Sequence, residues 1–422
     1  MPESCMSSLP QRTGRRVVVT GVGIISPLGN TVPLFWDSLL QGSCGVRPIE
    51  AWPTEGYPSR FAGIVSGFDP SAYMDRQLER RTDRFAQFGL AVAREAVTDA
   101  RLDLAKVDRD RCGVSIGTAV AGMDVVEHES QVLAQSGPRR VNPMLIPSVI
   151  GNMAACLAAI DLGFTGPALC PTGACATGCM GIGEALHYIR SGAVDVMVAG
   201  GSESVNTQLA VASFGRLGAL SRRSDDPALV CRPFDVDRDG TVLAEGAAAL
   251  VLESEDHAFA RGATVLAELA GYGVSCDAYH MAAPDPNGAG AAKAMRAALG
   301  MAGLKPEAVS YVCAHGTGTP LNDISEARAI REVLRDSADT VPVASSKYGM
   351  GHALGAAGAL SAVVAIQAIR RGVAPGTLNL RQQDPECRVN AIAANLQADV
   401  SAVLVNAFGI GGQNASLVFR RW

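Results

Sequence analysis

The sequence has few of the features typical of proteins that bind nucleic acid, form a disulfide framework or bind a metal. Charged residues make up only 18% of the 422 residues, and the formal net charge of −5 gives no basic excess for binding nucleic acid or an anionic membrane. No CxxC pair occurs among the eleven cysteines, and their odd number and low density argue against disulfides or a metal site. We expect most of these thiols to be small buried residues in a reducing cytoplasm.

Long apolar runs are also scarce. Residues 1–14 lack the apolar stretch of a signal peptide and are expected to form a loose tail. The best candidate for a membrane span, 353–369, is short, rich in Ala and Gly, and interrupted by Ser361 and Gln367. This composition predicts a buried helix, so we expect a soluble, cytoplasmic protein with no membrane partner.

Glycine and apolar residues are abundant. Glycine occurs 46 times and hydrophobic residues make up 48% of the chain, whose length suits two packed halves of about 200 residues. Helices are predicted at 83–100, 288–304 and 353–371. Buried strands are predicted at 15–22, 111–119, 194–201, 247–254, 264–274, 309–316, 340–347 and 402–409. Strands alternating with helices predict an α/β protein whose parallel or mixed sheets are covered by helices.

Two short motifs suggest functions that their surroundings do not support. The segment 113–117, GVSIG, matches the nucleophile elbow of hydrolases, but so short a pattern is common by chance, and Ser115 is expected in a turn. Gly21 and Gly23 follow the first strand as in a dinucleotide-binding loop, yet the third glycine and the later acidic residue are missing. We expect a simple tight turn there.

Cys175 has the surroundings of a nucleophile. It lies among small residues in the segment 170–190, at a predicted strand-to-helix turn. Unpaired N–H groups at a helix N-terminus favour a thiolate, so its pKa is expected to fall below that of a free thiol, and the same N–H groups could hold an oxyanion. A buried core thiol remains the alternative reading, and it is the one expected for Cys170 and Cys179.

Two of the six histidines stand out. His315 and His352 each follow a predicted strand and lie among glycines, which allow a ligand to approach closely. His187 falls within the helix after Cys175, and the remaining three are expected to be solvated or capping residues. A thiol and two imidazoles form a suitable set for acyl transfer, although the same three residues could in principle bind a metal.

These segments together resemble the elongating β-ketoacyl-acyl carrier protein synthases, which include the ketosynthase subunits of type II polyketide systems. The likeness runs through nearly the whole chain and rests on six motifs: 17–30, 232–240, 278–290, 314–323, 345–359 and 406–419. It implies a thiolase-like, five-layered αβαβα sandwich of two similar halves, 15–260 with the nucleophile and 261–422 with both histidines. The implied reaction is the decarboxylative condensation of a Cys-bound acyl chain with malonyl carrier protein, in fatty-acid or polyketide synthesis.

The resemblance also implies a role for individual residues. Cys175 carries the acyl chain, His315 and His352 promote decarboxylation, and Lys347 and Glu326 form a charged pair that orders the site. The N–H of Cys175 and that of Phe408 form the oxyanion hole, and Phe408 is also the gate between the acyl and malonyl sides. Thr317 and Thr319 are implied to bind the pantetheine arm, and Val120 to line the acyl pocket. Arg139 and Arg140 are implied to dock the carrier protein, with support from Arg222 and Arg223.

No dissociable cofactor or metal is expected, because the carrier protein supplies its phosphopantetheine with the substrate. The expected partners are an acyl carrier protein and a second copy of the chain, or a chain-length-factor homologue in a heterodimer, with no nucleic acid. Departures from the family pattern leave the acyl chain and extender open: Gly173, Thr241, Met350, Ile410 and Gln413.

Proteins with three other functions share the same fold. A non-condensing acyltransferase would need the thiol but no second histidine, and a non-catalytic chain-length subunit would lack the thiol. A starter-unit condensing enzyme would carry Asn where this chain has His352. Retention of the complete Cys-His-His set favours the elongating enzyme.

Overall fold

The computed structural model describes residues 14–422, so the expectation for the N-terminal tail lies almost entirely outside the described residues. Fourteen strands occur in this part of the chain: β1 (Val17–Ile25), β2 (Val46–Pro48), β3 (Phe61–Gly63), β4 (Cys112–Gly117), β5 (Ala168–Leu169), β6 (Val196–Glu203), β7 (Gly246–Ser254), β8 (Ala267–Cys276), β9 (Tyr311–Cys313), β10 (Val343–Ala344), β11 (Val373–Ala374), β12 (Leu396–Gln397), β13 (Ala402–Gly409) and β14 (Gln413–Arg420). The α-helices described there are α1 (Val32–Leu40), α2 (Arg76–Glu79), α3 (Arg84–Asp99), α4 (Met123–Ser136), α5 (Leu145–Val149), α6 (Met153–Leu162), α7 (Thr177–Arg190), α8 (Gln208–Arg216), α9 (Glu255–Ala260), α10 (Ala289–Ala302), α11 (Pro320–Leu334), α12 (Lys347–Met350) and α13 (Leu354–Arg371).

Ten strands form one continuous mixed sheet that repeats a single topology. Their order is β5-β4-β6-β7-β1-β8-β14-β13-β9-β10. In the first half β4, β5 and β6 are parallel, and β7 runs antiparallel to both β6 and β1. In the second half β9, β10 and β13 are parallel, and β14 runs antiparallel to both β13 and β8. The halves meet where Val18 and Val19 of β1 pair with Glu268 and Ala267 of β8.

Helices cover both outer faces of this sheet and fill the space between its halves. Helices α3 and α6 pack on the outer face of the first half, and α10 and α11 pack on that of the second. Helices α7 and α13 pack against each other and against strands of both halves, inside the largest apolar cluster. The fold class is therefore confirmed as an α/β protein built as a five-layered αβαβα sandwich of two similar halves.

Helix α13 is the central buried helix that its composition predicted. It is the one helix among residues 14–422 that is long and apolar enough to cross a membrane, and 89% of that segment is buried inside the protein. A helix that is apolar around most of its circumference is the kind that a core packed on all sides accommodates.

The structure corrects both turn predictions. Ser115 lies inside β4, between two parallel neighbours, so the GVSIG segment is neither an elbow nor a turn. Gly21 and Gly23 lie inside β1, where α3 packs so closely that a Cβ would come within 2.2 Å of the Ala96 carbonyl oxygen or 2.1 Å of the Val92 carbonyl oxygen. These glycines permit close packing of a helix on a strand.

The predicted strand 340–347 is also shorter than expected. Only Val343–Ala344 pair with β9, and the chain turns at Ser345, whose N–H donates to the Thr377 hydroxyl and whose hydroxyl donates to the Gly316 carbonyl. Helix α12 then begins at Lys347. This early turn brings residues 347–352 to the edge where β9 ends.

Candidate active site

One cavity of about 360 Å³ brings together residues from both halves of the fold. The first half contributes Cys175, and the second half contributes His315 and His352. Three further predicted site residues line the same cavity: Thr317, Thr319 and Phe408. The sequence prediction that these six residues converge therefore agrees with their placement in the structure.

Cys175 lies on a tight turn that leads from β5 into α7. Ala174 adopts the left-handed conformation with φ +48°, and the Ala176 N–H donates to the Gly173 carbonyl at 2.9 Å. The Thr177 hydroxyl accepts from the Gly173 N–H at 2.8 Å and ties the helix start to the turn. A left-handed alanine is a strained conformation that neighbouring contacts must hold, and such strain is common at functional sites.

The end of β13 lies directly on this turn. A Cβ added at Gly409 would come within 2.5 Å of the Gly173 carbonyl oxygen and 3.3 Å of the Cys175 nitrogen. Only glycine permits this approach, which places the backbone of Ile410 beside the Cys175 sulfur.

The expectation of a lowered thiol pKa is wrong. Burial is the dominant influence and raises the pKa of Cys175 to about 11, against the opposing effects of the Ile410 N–H and the Lys347 cation. The side chain is only 6% exposed and packs in an apolar cluster with Leu354 and Leu243. Desolvation of the anion outweighs the favourable position near a helix N-terminus, so the resting group is a neutral thiol.

His315 is held through its backbone. Glu326 of α11 accepts the N–H of His315 at 2.8 Å with one carboxylate oxygen and that of Gly316 at 2.7 Å with the other. The Lys347 ammonium donates to the His315 carbonyl at 2.6 Å. Three charged or polar contacts therefore fix this one peptide segment at the end of β9.

His352 is fixed in a different way, by a short parallel bridge. Its N–H donates to the Val242 carbonyl at 2.7 Å, and its carbonyl accepts from the Ala244 N–H at 3.0 Å. The imidazole rings of His315 and His352 lie edge to face with centroids 5.2 Å apart. Two imidazoles thus face one cavity from separate segments.

Both imidazoles are held in the neutral form. Burial first, and then the nearby Lys347 cation, lowers the pKa of His315 and of His352 well below the usual value. The Nδ1 atoms of both rings are buried, and neither has a hydrogen-bond partner within residues 14–422. A neutral imidazole can accept a proton or donate one hydrogen bond without adding positive charge.

Lys347 and Glu326 do not contact each other as an ion pair. No salt bridge joins their side chains in the described part of the chain, and both instead bind the His315 backbone. Burial lowers the pKa of Lys347. Burial also raises the pKa of Glu326 to about 7, although the N–H groups that the carboxylate accepts act in the opposite direction. Their charges therefore act on the site from either side of one histidine.

The structure separates two roles that the sequence assigned to Phe408. Its ring packs edge to face on His315, with centroids 5.6 Å apart, and it lines the cavity. The backbone N–H beside the Cys175 sulfur, however, belongs to Ile410. The oxyanion prediction for the Phe408 N–H is therefore not supported, because that residue lies within β13, whereas Ile410 follows the strand end.

The remaining predicted residues lie on the cavity wall, in the apolar cluster beside it, or on the surface away from it. The hydroxyls of Thr317 and Thr319 are hydrogen-bonded to each other at 2.9 Å on the cavity wall. Val120 packs against the apolar cluster that contains Cys175. Arg139 and Arg140 are exposed on a single turn after α4 and do not reach the cavity.

Sequence reasoning missed several residues around the site. His280 lines the cavity, and its Nδ1 accepts the N–H groups of Ala282 and Ala283 at 3.0 Å each, so the expected capping role holds but the cavity position was not foreseen. Asp277 binds Asn414 at 2.7 Å on the same wall. No metal-binding group of three or more His, Cys, Asp or Glu residues occurs within 14–422.

Comparison with known proteins gives a consistent result. Residues 14–258 match the family model for the N-terminal domain of β-ketoacyl synthase, and residues 266–381 match that for its C-terminal domain. The chain is 43% identical over 409 residues to the 3-oxoacyl-[acyl-carrier-protein] synthase 2 of Synechocystis sp., covering 97% of this chain and 98% of that protein.

Solved structures share the fold throughout. One is a type II polyketide acyl-carrier protein in complex with its ketosynthase bound to the hexaketide, which matches at TM-score 0.90 and 34% identity over 97% of this chain and all of that one. The ishigamide ketosynthase/chain length factor matches at TM-score 0.91 and 37% identity over the same shares.

Proposed function

The chain belongs to the β-ketoacyl synthase family of condensing acyltransferases, and from that premise we propose that it joins a Cys175-bound acyl chain to malonyl carrier protein with loss of CO₂. One observation carries this proposal: a thiol on a strained turn shares a cavity with two buried, neutral imidazoles. Simple acyl transfer requires only one such base. A second imidazole is explained by the enolate that decarboxylation creates.

Acyl loading is the first step. The Cys175 sulfur attacks the thioester carbonyl of the acyl carrier, its proton passes to a neutral imidazole in the cavity, and the departing pantetheine thiolate takes up a proton. Because burial keeps the thiol neutral at rest, the proton must leave during the attack. The N–H groups of Cys175 and Ile410 are the donors placed to bind the developing oxyanion.

Condensation takes place at the carbonyl carbon of the thioester formed on Cys175. The malonyl carboxylate leaves as CO₂, and the electron pair of the broken C–C bond forms an enolate whose oxygen accepts hydrogen bonds from His315 and His352. The enolate carbon attacks the Cys175 thioester, a new C–C bond forms, and the Cys175 sulfur leaves and recovers a proton. Neutral imidazoles suit this step, since each can donate to a developing oxyanion. No dissociable cofactor or metal is required.

The walls of the cavity fit a pantetheine arm. The paired hydroxyls of Thr317 and Thr319 offer donors and acceptors to its amides, and Phe408 supplies an aromatic face next to His315. Glu326 and Lys347 hold His315 in place for the enolate. Val120 belongs to the apolar side that receives the acyl chain.

The carrier protein is the proposed macromolecular partner. Arg139 and Arg140 lie exposed on one turn and can meet its acidic surface, and Arg222 is exposed on another segment. Reversing the charge of both, with Arg139→Glu and Arg140→Glu together, should raise the KM for carrier-bound substrate and leave kcat nearly unchanged. Equal KM values for the double variant and the wild type would remove these arginines from the docking surface.

We also propose that the active form is a cytoplasmic homodimer. The segment from α4 to α6, beside the edge strand β5, exposes five large aliphatic side chains to solvent in the single chain: Val126, Leu133, Ile146, Ile150 and Ile160. Apolar surface of this kind marks a protein interface. Mass measured in solution distinguishes a dimer from a monomer, and co-purification with a homologue lacking the nucleophile would identify a heterodimer instead.

The deciding experiment supplies acyl carrier and malonyl carrier together and follows two products. We expect a β-ketoacyl carrier product and stoichiometric CO₂, with an acyl adduct on Cys175 whose mass reports the preferred chain. Acyl transfer without CO₂ release would favour a non-condensing acyltransferase. Absence of any Cys175 adduct would favour a non-catalytic subunit.

A further inference from the structure

The carboxylate of Glu203, at the end of β6, is completely buried and binds two segments on opposite sides of it. It accepts from the Thr118 hydroxyl and from the Ala119 N–H, both at 2.8 Å, and from the Val120 N–H at 3.4 Å. On the other side it accepts from the Gly355 N–H, in the first turn of α13, at 3.1 Å. Four donors from two separate segments therefore converge on one carboxylate.

Each of these segments provides a wall of the apolar cluster around Cys175. Ala119 and Val120 pack against the cluster from the segment after β4. Leu354, which precedes Gly355, is a buried member of the cluster and also lines the cavity. The carboxylate is thus the shared anchor of two walls of the apolar cluster that contains Cys175.

The segment after β4 needs such an anchor. Ala121 adopts the left-handed conformation with φ +59°, which is strained for a residue with a side chain. The contact with α13 is also close, since a Cβ added at Gly355 would lie 2.5 Å from the Ala119 nitrogen and 2.8 Å from a Glu203 carboxylate oxygen. Without the carboxylate, the strained turn is free to relax toward the acyl chain's path.

We propose that Glu203 is a positioning residue that holds the two walls apart and so determines how well long acyl chains reach Cys175. This inference deepens the proposed function and rests on it for the identity of the chain. On this proposal a one- or two-carbon group on the sulfur needs little of the space between the two walls, whereas a long chain needs its full length. Loss of the anchor therefore acts mainly on long chains.

The test measures alkylation of Cys175 by two reagents, iodoacetamide and N-hexadecyl iodoacetamide, with peptide mass spectrometry. Each reaction forms a C–S bond, releases iodide and passes the thiol proton to buffer, so it needs no enzymatic activity. For Glu203→Gln we expect the rate with iodoacetamide to stay within about threefold of wild type, and the rate with the hexadecyl reagent to fall by about tenfold.

Two further variants keep the test decisive if Glu203→Gln folds poorly. Thr118→Val removes one donor and retains the side-chain shape, and it should change the ratio of the two rates in the same direction by a smaller factor. Glu95→Gln, which alters a part-buried carboxylate of α3 that accepts a hydrogen bond from the Tyr73 hydroxyl, should leave the ratio unchanged. An unchanged ratio in both Thr118→Val and Glu203→Gln would overturn the proposal, as would equal losses with both reagents.

The same preparations separate this proposal from the proposed function. Wild-type protein that fails to condense acyl and malonyl carriers refutes the function, whatever the alkylation ratios. Wild-type protein that condenses, combined with ratios insensitive to Glu203→Gln, refutes only the positioning role.

Discussion

The two halves of the sheet end at the cavity in the same way but provide different chemistry. In the first half, β4 leads into the Thr118–Ala121 segment, which the buried carboxylate of Glu203 holds by its N–H groups. In the second half, β9 leads into His315 and Gly316, which the buried carboxylate of Glu326 holds by theirs. The same anchoring device therefore positions an apolar wall in one half and a reacting imidazole in the other.

A second pair of segments extends this comparison. β5 leads through Cys175 into α7, and β10 leads through His352 into α13. A left-handed residue that is not glycine lies at the entry to each helix: Ala174, with φ +48°, in the turn before α7, and Leu354, with φ +36°, as the first residue of α13. The backbone platform is thus common to both halves. One half therefore provides the nucleophile and the other the enolate-binding groups because of a few side chains placed on this shared backbone.

The largest test of this division removes the nucleophile. Cys175→Ala should lower condensation by roughly 10⁴-fold or more, because no thioester can form, while decarboxylation of malonyl carrier continues through the second half. Product formation, CO₂ release and the acyl adduct are measured together. Cys170→Ala is the matched control and should condense normally. Full condensation by Cys175→Ala would refute the assignment of the nucleophile.

Removing either imidazole should act on the other half of the reaction. His315→Ala or His352→Ala should lower decarboxylation by roughly 10²- to 10³-fold, since an enolate oxygen loses a donor, and acyl loading should fall by less than about tenfold. Stopped-flow loading and CO₂ release give the two rates. His187→Ala serves as the control, because the His187 ring packs on Tyr272 outside the cavity. Equal losses in loading and decarboxylation would contradict the division.

A smaller effect is expected from the anchor of His315. In Glu326→Gln an amide NH₂ group replaces one carboxylate oxygen, and it cannot accept the backbone N–H that this oxygen binds. The unpaired N–H should cost about 1–3 kcal/mol in stability. Decarboxylation should fall about tenfold while acyl loading changes little. Glu332→Gln, on the exposed face of the same helix, should change neither rate. A loading defect as large as the decarboxylation defect would show that Glu326 supports the whole site.

The smallest effect is a pH dependence of stability. Burial depresses the pKa of His352 in the folded protein, so the unfolded chain binds the proton first, and the stability present above about pH 6.5 is lost as the pH falls. Each such imidazole contributes a slope of about 1.4 kcal/mol per pH unit below that value. The free energy of unfolding can be measured with denaturant at pH 6 and at pH 5. Its loss per pH unit should be about 1.4 kcal/mol smaller for His352→Asn than for wild type. Parallel curves would mean that His352 titrates normally in the folded protein.

Sequence patterns predicted the regular elements best where apolar residues recur over many positions. The strand 402–409 and the helix 353–371 lie within one residue of their structural bounds, because a segment buried on every side must be predominantly apolar along its length. The convergence of Cys175, His315 and His352 followed from the family motifs and not from periodicity. His315 and His352 lie 140 and 177 positions after Cys175, and so wide a separation leaves no local signal.

The failures have physical causes that lie outside local sequence. Gly21, Gly23 and Ser115 look like turn residues, but a helix packed on one face and neighbours on both edges make them strand residues. The pKa of the Cys175 thiol departs from the sequence-based expectation because desolvation depends on how the whole cluster closes around the sulfur. Glu203 carried no motif, and its four donors come together only in the folded chain.

The seam between the halves has a consequence for how the chain matures. Only two residue pairs, formed by Val18 and Val19, join β1 to β8, and these bring strand β1 beside a partner almost 250 positions later. Because His315 and His352 lie still later in the chain than β8, the sulfur and the imidazoles can come together only after the second half has been synthesised and docked. A nascent first half therefore holds Cys175 without either imidazole, and the complete set of reacting groups arises only when the late strands close the sheet.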